Sequence, residues 1–118
     1  MTVNTDEILL DGIRYKCDSI AEEIAQSMPR EGDIYYPAML INNAVWVAPV
    51  GISRAEALAI MSLNSSKVGV MAVSAKYARG LCSTLGGAEG PEGDSKGGYW
   101  YHYHGKACRN AHCWFLGN

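Results

Sequence analysis

Histidine is absent from the first 101 residues of this chain, and acidic residues are absent from 95–118. The first absence keeps imidazole chemistry out of most of the sequence. The second leaves Lys96, Lys106 and Arg109 unopposed, whereas Asp6, Asp11, Asp18, Glu22, Glu23, Glu31 and Asp33 crowd the first third. No apolar run approaches the roughly 18 residues that a membrane-crossing helix needs, so no membrane partner is expected. Met1 to Glu7 carries neither a basic segment nor an apolar one and does not resemble a secretory signal. The expected location is therefore cytoplasmic, or outside the cell by a route that needs no cleavable signal. Four cysteines, at 17, 82, 108 and 113, are too few for a dense disulfide framework and are expected as free thiols. Spacing leaves open a Cys108–Cys113 pairing across a hairpin. A net charge of −2 lacks the basic footprint of most nucleic-acid-binding domains, though it permits a small basic patch near the C-terminus. The Gly-rich stretch 86–98 is no phosphate-binding loop, because no Gly-Lys-Ser/Thr follows it. No internal repeat is visible.

What is present fits one domain over 1–118, a length that buries about two-thirds of its unfolded surface. Asp11-Gly12 between two apolar stretches predicts a small hairpin over 8–17. Ile20, Ile24 and Met28 fall on one helical face, with Glu22 and Glu23 in the first turn where the helix dipole favours acids. Strands are predicted over 33–36, 44–48 and 68–73. Ser53 with Glu56 forms a capping box ahead of a helix over 54–63. Ser74 is placed to cap a third helix over 75–85. No regular element is predicted over 86–98, where seven of thirteen residues are Gly or Pro. Long loops of this kind are usually functional or mobile. The order predicts an α+β domain: a mainly antiparallel sheet, about three helices, and a C-terminal hairpin that completes the sheet.

The chemistry gathers in residues 98–118, which hold His102, His104 and His112 together with three tyrosines and two tryptophans. Histidine exchanges protons near neutral pH and ligates metals. In a strand over 99–104, Trp100, His102 and His104 share one face, and Tyr99, Tyr101 and Tyr103 share the other. Residues 105–111 then form the turn and 112–116 return. If His104 lies across from His112, all three histidines and Trp114 face the same way; a one-residue slip moves His112 to the tyrosine side. Two imidazoles on one substrate divide general base and general acid work. Lys106 and Arg109 at the tip would hold a phosphate, and Tyr101 and Tyr103 would stack on unpaired bases. These parts suit metal-independent cleavage of RNA, with no cofactor. Three other readings stand beside it: plain sheet packing, a non-enzymatic module that binds a ligand or protein, and a zinc site of His102, His104 and His112 with Cys108 or Cys113. Glu89, Glu92 and Asp94 read as solvated loop charges rather than acids at work. Trp46 and Cys82 read as core.

The strings Gly90-Pro-Glu92-x-Asp94, Gly98-Tyr-x-Tyr-His-Tyr-His104 and Arg109-x-x-His112-x-x-Phe115-x-Gly117, preceded by Ala78, Leu81 and Leu85-Gly-Gly, resemble the C-terminal domains of bacterial polymorphic toxins. The resemblance covers roughly the last fifty residues. Gly105 stands where those domains carry proline, and Cys-Trp-Phe-Leu-Gly where they close on Ile-Phe-Tyr-Gly. It implies a nuclease-like activity and an immunity protein as partner, with His102, His104, Arg109 and His112 as the positions carried over.

Overall fold

The computed structural model describes residues 7–27, 29, 31–42, 44–93 and 101–115. Its architecture is α+β, with nine strands and three helices among those residues. β1 (Glu7–Leu10) and β2 (Ile13–Lys16) form the predicted hairpin. Asp11 and Gly12 both take positive φ, 51° and 79°, as a two-residue turn of this hand requires. The hairpin is a sheet of its own, held to the body by buried Ile8 and Tyr15, and the Tyr15 hydroxyl donates to Glu56 at 3.2 Å.

The remaining elements are β3 (Ser19–Ile20), α1 (Ala21–Ser27), β4 (Tyr35–Ile41), β5 (Ala44–Val47), α2 (Arg54–Met61), β6 (Val68–Ala72), α3 (Ala75–Ser83), β7 (Ala88–Glu92), β8 (His102–Gly105) and β9 (Cys108–Phe115). Seven strands form one sheet in the order β3-β5-β4-β6-β9-β8-β7. It is antiparallel except where β6 and β9 run parallel, Gly69 opposite His112 and Met71 opposite Trp114. The capping box of α2 is complete: the Ser53 hydroxyl accepts from Glu56 N, and Ser53 N donates to the Glu56 carboxylate. Ser74 occupies the N-cap of α3 but makes no side-chain cap bond.

Three expectations are corrected. The strand read over 33–36 runs on from Tyr35 to Ile41 through Pro37, in mid-sheet, where proline is uncommon because it donates no ladder bond. Residues 88–92, read as loop, are edge strand β7. The long turn read over 105–111 is only Lys106-Ala107, and β9 starts at Cys108. Cys108 and Cys113 thus share one strand instead of facing each other, and all four cysteines are free. Trp46 is half-buried against the core, and Cys82 is fully buried.

The two sheet faces are covered unequally. One carries α2 and α3, over a core that includes Tyr35, Ile60, Met61, Val70, Leu81, Cys113 and Phe115. The other carries α1 against β3 and β5, its Ala21 and Ile24 part of a cluster with Val45, Val47, Met71 and Trp114. On that second face α1 lies toward the β3-β5 end, and no described helix packs over β8 and β7 there. Among the described residues no helix is long and apolar enough to cross a membrane.

Candidate functional site: a histidine triangle with a carboxylate

β8 and β9 place the three histidines on the less covered face. His102 stands opposite Trp114, and Tyr103 opposite Cys113, which is the register that puts His102, His104, His112 and Trp114 on one side. The ring centroids form a nearly equilateral triangle: 4.8 Å for His102–His104 and 4.7 Å for each to His112. One ring nitrogen from each lies within 4.8 Å of the other two. His112 also stacks on Trp114, 5.0 Å between centroids and 7° between planes.

The ladder between β8 and β9 breaks beyond Tyr103 and resumes at Gly105 opposite Cys108. Within that irregularity the His104 ring takes a backbone group: its Nδ1 lies 2.8 Å from Ala111 O. A carbonyl only accepts, so Nδ1 carries a proton, and in the neutral ring the lone pair lies at Nε2. That Nε2 faces Glu92 Oε2 at 3.4 Å, and His102 Nε2 lies 3.7 Å from the same oxygen. The imidazoles are largely enclosed, 12% and 15% exposed for His102 and His104, beneath a carboxylate that is 66% exposed.

Glu92 reaches this face through an irregularity in β7. Glu89 pairs with His104 and Glu92 with His102, three residues set against two, with the shift between them. Strict alternation would send one of these acids to each side; the extra residue brings both to the histidine side. Gly90 is what allows it. It sits at φ 120°, and a Cβ there would stand 3.0 Å from His102 O. Sequence reading gave Glu92 to solvent because the strand that carries it has the composition of a loop.

Electrostatics favour a neutral His112 ring. His112 is pushed down to about 4, first by burial and then by repulsion from His102 and His104. Its Nδ1 is buried with no hydrogen-bond partner among the described residues.

The other expected residues divide. Arg109 pairs with Glu89 at 3.0 Å, beside the histidine that Glu89 opposes. Lys106 lies in the turn; its N donates to Gly87 O, and its side chain runs over the space a Gly87 side chain would fill. Tyr101 and Tyr103 do not join the histidines. Tyr103 is buried on the opposite face, 5.6 Å from the Phe115 ring, so it has no free surface on which to stack a base. Tyr101 is exposed and stacks toward Phe115 at 6.4 Å. Cys108 and Cys113 belong to the core beneath α2 and α3, which removes both from the expected zinc set. Trp100 and Asp94 lie outside the described residues, as do Tyr99 and Lys96. Compared with known protein families, with curated proteins and with solved structures, the chain matches none.

Proposed function

We propose that this is a toxin-like domain that cleaves RNA at the histidine face of β8 and β9. One observation carries the reading: three imidazoles and a carboxylate gather in a single cluster on the face that no described helix covers at that end. Lys106 in the turn and Arg109 on β9, the latter also paired with Glu89, support it as groups for a phosphate backbone, and the toxin-like string of residues supports the substrate class.

The geometry bears on how cleavage would proceed. The metal-free scheme sets one imidazole at the attacking 2′-hydroxyl and another at the leaving 5′-oxygen, on opposite sides of the phosphate. A phosphate held that way parts the two nitrogens by roughly 7 Å, two hydrogen bonds plus the width of the anion. Here one nitrogen of each ring lies within 4.8 Å of the others. A scheme that used those nitrogens would need the hairpin to open around its substrate, whereas the closed triangle acts as one centre.

Purified protein incubated with single-stranded RNA, with and without chelator, tests the reading. Cleavage is expected, and His104→Ala or His112→Ala should slow it about a hundredfold or more, the scale of losing a group that works on the reacting atoms. A wild-type protein that leaves RNA intact in every buffer refutes it and leaves a binding module in its place.

A further inference from the structure

We infer that His102, His104 and His112 bind one divalent transition-metal ion of the zinc class, with Glu92 at the fourth position. This concerns the same residues as the cleavage proposal, but it stands whether or not the domain cuts RNA.

The triangle has the dimensions of a metal shell. Zinc–imidazole bonds of about 2.0–2.1 Å put each ring centroid about 3.2 Å from the ion, so rings at a tetrahedral angle have centroids about 5 Å apart. The three observed separations are 4.7, 4.7 and 4.8 Å. The rings meet edge-on or tilted, at 90°, 70° and 56°, so that no pair blocks the space between them by stacking.

Donor chemistry agrees. His104, proton fixed on Nδ1 by Ala111 O, turns a lone pair toward Glu92 Oε2 at 3.4 Å. With the ring neutral, two acceptors face each other, a contact that either a proton on Nε2 or a bound cation resolves. A backbone carbonyl that holds the far nitrogen of a histidine is also the usual outer support of a metal ligand. His112 keeps one buried nitrogen that no described group satisfies. Three imidazoles with one carboxylate form a borderline N3O set, suited to zinc, cobalt(II) or nickel(II); magnesium and calcium prefer oxygen alone. A dipositive ion here with neutral rings and one carboxylate leaves a net charge of +1, and Glu92, mostly exposed on an edge strand, is the ligand that an incoming anion would displace.

The test is metal titration of tag-free protein stripped with chelator. Zinc should bind 1:1 by calorimetry, and cobalt(II) should give the intense visible bands of a four-coordinate site. His104→Gln and His112→Gln should each weaken binding a hundredfold or more, and Glu92→Gln about ten- to a hundredfold, with far-ultraviolet circular dichroism reporting whether each variant folds. Wild-type affinity no better than that of a folded histidine variant overturns the inference, as does binding of several ions per chain. Full RNA cleavage by stripped protein in chelator, together with no 1:1 zinc binding, would overturn it while sparing the cleavage proposal. Tight 1:1 zinc binding without RNA cleavage would do the reverse.

Discussion

Gly69 is where the fold and the site meet, and Gly69→Ala is the sharpest perturbation of both. The residue lies on β6 opposite His112 across the parallel ladder to β9. A methyl group built there overlaps the His112 carbonyl oxygen and stands 3.0 Å from Trp114 Cζ3. The obstacle is chiefly backbone, which cannot rotate aside as a side chain can. β9 must retreat, which opens the first rungs of the ladder and lifts Trp114, 3% exposed, off its packing. Each lost backbone bond costs about 1 kcal/mol, and overpacking a tight interior costs about 1–3 kcal/mol. The expected loss is about 3 kcal/mol, out of a total of roughly 5–15 kcal/mol for a domain of this kind. At about 4 °C per kcal/mol, the melting temperature should fall by roughly 12 °C. Urea unfolding followed by tryptophan fluorescence measures the loss, and the cobalt spectrum reports whether His112 has moved. A loss under about 1 kcal/mol, with the metal spectrum unchanged, would show that the ladder yields without cost and refute the reasoning.

Gly80→Ala is the matching control. It lies inside α3, nothing stands within 4 Å of the added methyl, and stability should rise by about 0.5–1 kcal/mol; a decrease on urea unfolding contradicts this. Ser53→Ala removes half of the α2 capping box and should cost about 1 kcal/mol by the same assay, with an unchanged midpoint as the adverse result. The metal-free protein should lose stability in acid through His112. Its folded value of about 4 lies below the unfolded value near 6.5, so the native state binds fewer protons, and the contribution is complete above pH 6.5 and is lost as pH falls toward 4. Solvent screening of the partly exposed ring reduces the full linkage to about 1–2 kcal/mol. Urea midpoints at pH 7.5 and 4.5 should diverge more in wild type than in His112→Gln; equal divergence excludes His112 as the source.

Local signals were legible where short-range chemistry decides the structure. Asp11-Gly12 set its turn, Ser53 and Glu56 started α2, and alternation along 102–104 sorted histidines from tyrosines. Pairing was legible only where composition announces it. β7 exists because Ala88 and Glu89 find Gly105 and His104 on β8, not because Ala-Glu-Gly-Pro-Glu prefers an extended chain. An edge strand tolerates Pro91, since an absent donor costs nothing on the unpaired side. Glu92 was invisible for the same reason, because its approach to His102 and His104 depends on an irregularity that only the paired strand creates. The parallel β6–β9 contact joins segments some forty residues apart, and no turn residue encodes it.

The placement of the histidines argues against a purely architectural role. Positions 102, 104 and 112 lie on the same face as Trp114 and Met71, which are buried against one another. Branched aliphatic side chains there would extend that apolar surface with no polar nitrogen to satisfy. Imidazoles instead add mutual repulsion on protonation and leave a His112 nitrogen buried without a described partner. Such a group costs about 1–3 kcal/mol to bury unsatisfied. Three imidazoles in contact, with a carboxylate drawn over them by a strand irregularity, add polar atoms to that face where the fold alone gains nothing from them. Local violations of this kind mark functional sites, and a bound cation turns each liability, the neutral ring, the open lone pair and the facing carboxylate, into a bond.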